Sequence, residues 1–331
     1  MKVSIIIPVY NVAQYIKRCL YSVSMQTYKH IECIIVDDCG TDNSMSIIED
    51  FITNLKRNIE FRIIRHLYNK GISESRNTGI HAATGEYIYF LDSDDAISFD
   101  CIETLVNIAQ KFQDADFIAG NTIKGSGMLM ESNYVITSTQ YYSDKKELEY
   151  FILQKQNRTA WNKLIKLSFI LNKSILFPSN IIMEDHYWTW LLAKHTNAAV
   201  FTNIGTYFYY RTEKGITQSK SIDMFRKRSF SYIEIAKRIT NDFKYLDNIQ
   251  NYHRIYLGET IIFALENLVK SFSISNWRSF WSFISKMAWE HRTRITWYRT
   301  VFYLCMMPPL CFFAIFKAWR WRLRHYITDN L

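Results

Sequence analysis

Proline is scarce, with 4 in 331 residues, which argues against long disordered or polyproline linkers. The six cysteines, at positions 19, 33, 39, 101, 305 and 311, include no Cys-x-x-Cys pair, and no histidine cluster accompanies them. They read as reduced thiols and not as a zinc site or a disulfide framework. No Gly-x-Gly-x-x-Gly follows the first apolar run and no Gly-Lys-Ser/Thr occurs. A dinucleotide-binding or P-loop protein would therefore lack its phosphate cradle. The opening run, Val3 to Pro8, is too short for a signal peptide and has no small-residue cleavage site, so it is expected to be a buried strand. Internal repeats and low-complexity tracts are absent.

What is present fits a globular α/β protein. Hydrophobic residues make up 48% and charged residues 21%, enough apolar material for a large core. The length allows one large domain with an appendage or two modest ones. The net charge of +9 is unevenly placed: positions 276–331 hold nine basic and two acidic residues, or +7, and six of the nine tryptophans. Such asymmetry assigns the basicity to a surface-binding tail.

The first 120 residues alternate between strand and helix patterns. Val3–Val9 is a β-branched run of the kind buried on both faces of a sheet. Asn11 is expected to cap a helix to about Met25. Strands at Ile31–Val36, Phe61–Ile64, Tyr87–Leu91 and Phe117–Ala119 alternate with helices opened by Thr41/Asp42, over Ile72–Ala83 (ending at Gly85 as its C′ residue) and over Phe99–Lys111. This alternation predicts a mostly parallel, Rossmann-like sheet flanked by helices, with ligands at the carboxyl ends of its strands. Residues 120–150 are polar and irregular. Further on, Met183–Lys194 reads as a helix, Ala199–Phe201 and Tyr207–Arg211 as two strands, and 223–290 as helices. The expected organisation is an α/β domain over 1–220, divided near 120, and a helical region over 221–331.

Several acidic groups sit where that rule puts ligands. Asp92-Ser93-Asp94 ends a strand and offers two hard oxygen donors of the kind that hold Mg²⁺ or Mn²⁺ beside a substrate diphosphate. Viewed alone, it is equally a solvated acidic turn. Asp37-Asp38 is either a carboxylate pair facing a nucleobase or a turn and helix cap. Arg76 and Asn77 lie either near a diphosphate or on a surface helix capped by Ser73. Glu184-Asp185 opens an aromatic-rich helix, as a proton acceptor or simply as a partner for the helix dipole. His186 and His195 have no ligand partners at suitable spacing.

Taken in order, these segments resemble the family 2 glycosyltransferases of the GT-A fold. The matching pieces are Ser4-Ile-Ile-Ile-Pro-Val-Tyr-Asn11, Val36-Asp-Asp-Cys-Gly-Thr-Asp-Asn-Ser44, Asn69-x-Gly71 with Ser75-Arg-Asn-Thr-Gly79, Gly85-Glu-Tyr-Ile-Tyr-Phe-Leu-Asp-Ser-Asp-Asp95 and Glu184-Asp-x-x-Trp188. Trp161-Asn-Lys-Leu-Ile and Tyr210-Arg are similar to its acceptor-side segments. The resemblance implies that Pro8 and Tyr10 border the nucleobase, that Asp38 reads it with Asp37 alongside, and that Arg76 lies near the donor. It makes Asp92 and Asp94 the Asp-x-Asp motif, holding Mn²⁺ or Mg²⁺, and Asp185 the general base of an inverting transfer from a UDP-sugar or similar donor. Cys39-Gly40 departs from the commoner Gly-Ser.

The uncharged stretch from Thr300 to Phe316 is short for a span of about 20 residues, and Pro308-Pro309 splits it. Basic residues and tryptophans on both flanks suit an interfacial hairpin on an anionic cytoplasmic leaflet. The alternative is packing on protein. Nucleic-acid binding fits the Arg/Trp mix but not the apolar core. The whole reads as a glycosyltransferase of the hexosyl type, acting on a lipid-linked glycan acceptor in surface polysaccharide assembly. The alternative is an idle GT-A-like module that binds a nucleotide sugar or scaffolds an assembly complex.

Overall fold

The computed structural model describes residues 1–56, 59–123, 137–212, 218–246, 248–271 and 274–290. Two units are distinguished: Met1–Lys220 with Tyr245–Glu259, and Ser221–Lys244 with Thr260–Leu331. The apolar stretch 300–316, its basic flanks, Cys305 and Cys311 lie outside the described residues. Among the described residues no helix is long and apolar enough to cross a membrane.

The first unit is built on β1 (Val3–Val9), α1 (Ile16–Ser24), β2 (Ile31–Asp37), α2 (Ser44–Thr53), β3 (Glu60–Arg65), α3 (Ile72–Ala82), β4 (Tyr87–Phe90), β5 (Ala96–Ile97), α4 (Cys101–Lys111) and β6 (Phe117–Thr122). It continues through β7 (Gln140–Tyr142), α5 (Lys145–Tyr150) with a π-helical turn at Phe151–Lys155, β8 (Lys163–Lys166), α6 (Leu167–Asn172), α7 (Glu184–His195) and β9 (Ala199–Phe208). The strands form one sheet in the order β3-β2-β1-β4-β8-β6-β9-β5, with β7 beside β9. The pairs β3-β2, β2-β1, β1-β4 and β6-β9 are parallel, while β8 runs antiparallel to β4 and β6.

Every residue of β1 and β2 is buried, as expected for Ile/Val-rich strands whose two faces are covered by helices. Burying one such side chain contributes roughly 1.5–3 kcal/mol. Val9, Asp37 and Arg65 share one register across β1, β2 and β3, so Tyr10, Asp38 and His66 emerge together at the carboxyl edge.

Three local expectations are corrected. Asn11 does not cap α1; it takes φ 53°, and its Oδ1 accepts from the Thr41 amide at 2.7 Å, tying the end of β1 to the loop before α2. Residues 199–208 form one strand, not two, because the polar stretch in its middle keeps extended pairing with β6. Gly85 is not a left-handed cap. Its amide donates to Ser4 Oγ, and a Cβ there would meet that oxygen at 2.7 Å and the Lys2 carbonyl at 2.8 Å.

The same corner holds a buried acid. Glu32 accepts from Ser4 Oγ at 2.5 Å, from the Thr84 amide at 2.7 Å and from Thr84 Oγ1 at 2.9 Å, with Lys2 at 3.2 Å. Burial alone would raise its pKa, but these bonds outweigh it and hold the group down to about 2.

In the second unit, α8 (Ile222–Asp242) is capped by Ser221 Oγ, which accepts from the Met224 amide. It buries Ile233, Ile235 and Ile239, beside Leu268 from the latter part of α9 (Asn251–Ser271) and Phe280 from α10 (Ile274–Glu290). Asn276 Nδ2 donates to the Arg226 carbonyl and to Ser229 Oγ, fastening α10 to α8.

Because the folded-state pKa of Glu32 lies below the ordinary 4.5, its stabilisation is complete above that pH and is lost as pH falls toward 2. Glu32→Gln should cost roughly 1–3 kcal/mol at neutral pH, the penalty for poorly paired buried donors. Denaturant unfolding of both proteins should show the gap narrowing between pH 4.5 and 2.

Candidate active site

Chain direction brings α3 and the start of α7 together at the carboxyl edge of β4. Asn77 makes the bridge: its Nδ2 donates to the Phe177 carbonyl and its Oδ1 accepts from the Phe177 amide, both at 2.9 Å. Phe177 in turn stacks on Trp188 of α7, with centroids 5.0 Å apart and planes 5° from parallel. Met183 takes a left-handed φ of 60° just before α7, a conformation uncommon outside glycine. The chain thereby enters the helix with Glu184 and Asp185 turned to α3.

Both meet Arg76. Its Nη1 donates to Glu184 Oε1 at 2.5 Å and to Asp185 Oδ1 at 2.9 Å, and its Nη2 donates to Asp92 Oδ1 at 2.9 Å. The guanidinium is 2% exposed and lies 5.1 Å from the Phe177 ring centroid. Its Nε–H has no hydrogen-bond partner among the described residues. One cation thus joins three carboxylates from two chain segments that are about a hundred residues apart. Burial opposes its charge, but Asp185, Asp92 and Glu184 overcome this and raise its pKa further. Burial raises the pKa of both Glu184 and Asp185, with Arg76 pulling against it. Asp185 keeps 20% of its side chain exposed, against 7% for Glu184. Asp185 is therefore the one of the two that a substrate can reach. The surface-helix alternative for Arg76 and Asn77 fails, since both are buried, and Ser73 does not cap α3: Gly71 is the N-cap residue.

Asp92 and Asp94 flank Ser93 on the loop after β4. Asp94 Oδ2 accepts from Thr212 Oγ1 at 3.2 Å, and its carbonyl accepts from Arg18, whose guanidinium lies over the Tyr210 ring. Burial first, then Asp92, raises Asp94 to about 6. Each of the two carboxylates keeps one oxygen without a hydrogen bond among the described residues. Asp95 is spent on structure, accepting from Tyr207 Oη and the Tyr210 amide at 2.7 Å. No group of three metal-ligating side chains occurs among the described residues. Two carboxylates completed by substrate phosphates is nonetheless a normal Mg²⁺ arrangement, and hard oxygens are the right donors for it, so Asp92 and Asp94 fit such an ion.

At the other end of the edge, Pro8 is buried and Tyr10 is 48% exposed. Asp38 is buried and fully engaged: its Oδ1 meets His66 Nδ1 at 2.7 Å and the Lys70 amide at 2.8 Å, and its Oδ2 accepts from the Gly71 amide at 2.8 Å. It fixes the loop before α3, where Gly71 takes a φ of 88° that side chains disfavour. Asp37 Oδ1 accepts from the Cys39 amide.

Sequence reasoning passed over Lys163, Arg18 and Thr212. Lys163 is buried on β8, donates to the Thr159 carbonyl at 2.6 Å, and is held down to about 8 by burial, which Asp185 partly offsets. Its one signal was its place in Trp161-Asn-Lys. Arg18 and Thr212 carried none.

The Glycosyl transferase family 2 profile matches residues 4–174. Among curated proteins, the glycosyltransferase GlyA of Streptococcus pneumoniae is 32% identical over 231 residues, 65% of this chain but 31% of GlyA. The chain thus spans about a third of that relative. WfaP of Escherichia coli, a UDP-Glc:alpha-D-GlcNAc-diphosphoundecaprenol beta-1,3-glucosyltransferase, is 30% identical over 271 residues, 81% of this chain and 94% of WfaP. Of solved structures, S. aureus TarS 1-349 in complex with UDP-GlcNAc superposes with a TM-score of 0.65 at 19% identity, covering 86% of this chain and 80% of that one. The mannosyltransferase PcManGT of Pyrobaculum calidifontis, with GDP-Man and Mn²⁺, gives 0.54 at 13% identity, covering 91% and 78%. The GT-A fold follows from these likenesses.

Removing the shared cation should be costly. Arg76→Met leaves three carboxylates facing one another and should destabilise the protein by roughly 3–5 kcal/mol, the usual cost of orphaning a buried charge. Adding Glu184→Gln should recover part of that loss. Equal unfolding midpoints for the single and double variants would show that the three acids are not coupled through Arg76.

Proposed function

The chain belongs to glycosyl transferase family 2, and from that premise we propose that it is an inverting enzyme that moves a sugar from a UDP-sugar to a glycan acceptor. The observation that carries this reading is that one guanidinium, Arg76, binds both the first aspartate of the Asp-x-Asp and Asp185. The donor side and the acceptor side of a transfer are thereby set against each other. UDP is favoured by analogy with the nucleotides named for WfaP and TarS.

Asp185 is the base. Arg76 orients its carboxylate, and burial makes it more basic than a solvated aspartate. It takes the proton of the acceptor hydroxyl while that oxygen bonds to the anomeric carbon and the bond to the diphosphate breaks on the opposite face. One displacement inverts the centre. Asp92 and Asp94 would hold Mn²⁺ or Mg²⁺, which when bound supplies Lewis-acid stabilisation to the leaving diphosphate. Pro8 and Tyr10 border the nucleobase. Asp38 serves it by fixing Lys70 and Gly71 in the loop alongside, and Arg76 serves the donor by holding Asp92 in place.

The catalytic part is assigned to 1–220 and the membrane-facing part to the region after it. A lipid-linked acceptor in surface polysaccharide assembly, as named for WfaP, agrees with the basic, tryptophan-rich tail, which we place peripherally on the inner face of the cell membrane. Because α10 packs on α8, the tail segment to remove begins at His291.

Three outcomes test this reading. Asp185→Asn should cut turnover by ~10²–10⁴-fold with donor affinity nearly unchanged, as loss of a general base does; near-normal turnover would move the role to Glu184. Asp94→Ala should abolish transfer and the divalent-ion dependence of UDP binding by calorimetry, and full activity in excess chelator would exclude a metal. Ending the chain at Glu290 should release it from anionic vesicles, since each base near such a surface contributes about 1 kcal/mol. Equal flotation of both forms would remove the tail from membrane binding.

A further inference from the structure

A small cleft opens on the acceptor side, lined on one wall by Gly120 and Asn121 of β6 and on the other by Lys155, Asn157, Thr159 and Lys163. The segment that lines it is electrostatically coupled to the base: Lys163 acts on Asp185 through its charge. The volume is about 30 Å³. At roughly 10–15 Å³ per water, that is room for one planar or tetrahedral oxyanion and not for a sugar ring.

The chemistry of the walls is one-sided. Lys163 is 5% exposed, and its ammonium has only the Thr159 carbonyl and hydroxyl as hydrogen-bond partners. No carboxylate lies within ion-pair distance of it among the described residues. A buried ammonium with no carboxylate in direct contact is costly; burial holds this one down to about 8, and the more distant Asp185 offsets that only in part. Lys155 and Asn157 also line the cleft, with the Lys155 ammonium 5.6 Å from the Tyr150 ring centroid. No acidic side chain lines the cleft.

We propose that this cleft is an anion subsite for the acceptor, which receives a carboxylate or phosphate carried by the sugar whose hydroxyl faces Asp185. The inference rests on Asp185 being the base and adds to it a substrate class: acidic glycans or glycosyl phosphates. Lys163 supplies the charge, and the neighbouring amides supply hydrogen bonds to the same group. An anion seated here also anchors the acceptor at a fixed reach from Asp185, so that binding serves orientation.

The test titrates full-length protein, loaded with UDP and Mn²⁺, with methyl β-glucoside, methyl β-glucuronoside and glucose 1-phosphate, followed by ligand-observed NMR. At least one of the two anions should bind ten-fold or more tightly than the neutral glycoside. Preference for the glucuronoside places the acid on the ring, and preference for the phosphate places it at the anomeric linkage. Lys163→Met should bring the ratio within two-fold of unity, and Asn157→Asp, on the rim, should invert it even if the first variant folds poorly. Equal binding of neutral and acidic probes by the unmodified protein, or a preference that survives both substitutions, overturns the subsite. The base is judged separately. If Asp185→Asn loses transfer while no anion preference exists, only the subsite falls; if anion preference holds but Asp185→Asn transfers normally, only the base does.

Discussion

The site depends on one buried arginine. Three carboxylates gathered within hydrogen-bond reach of a common point would repel one another by several kcal/mol in a low-dielectric setting, and they would protonate or splay apart. Arg76 prevents both. Its planar fork offers separate N–H groups to Glu184, Asp185 and Asp92, which a lysine could not do. Everything that positions Arg76 is therefore part of the site: Asn77 fastening residue 177, the Phe177–Trp188 stack, and the left-handed turn at Met183.

The fold supplies that convergence through its topology. Parallel strands β3, β2, β1 and β4 point their carboxyl ends at one edge, delivering Asp38 and Asp92. The antiparallel entry of β8 next to β4 then brings the segment Thr159–Lys163 to the same edge.

Much of this was legible in the residues. The β-branched run Val3–Val9 reads as a doubly covered strand and Ile31–Val36 as a second strand, and the acidic clusters lay where a parallel sheet puts ligands. What escaped was set by distant contacts. Nothing near Asn11 in sequence shows that its side chain will be claimed by Thr41, thirty positions on. Gly85 looked like a helix cap because glycine often is one, whereas close approach to Ser4 is what demands it. The three protein partners of Asp38 come from a loop whose path the sequence does not reveal. Lys163 is inconspicuous in an ordinary Lys-Leu-Ile-Lys strand until β6 and β8 close over it. Cys39, in place of glycine, sits at φ 60°, a strain visible only in the backbone.

The central claim is that a single carboxylate, Asp185, drives one displacement at the anomeric carbon. The most direct measurement is the anomeric configuration of the first-formed product, read from its proton coupling by NMR with an α-linked UDP-sugar as donor. The account predicts a β-linked product. An α-linked product would contradict it, because retention needs a different arrangement of groups around the anomeric carbon than one base held by Arg76.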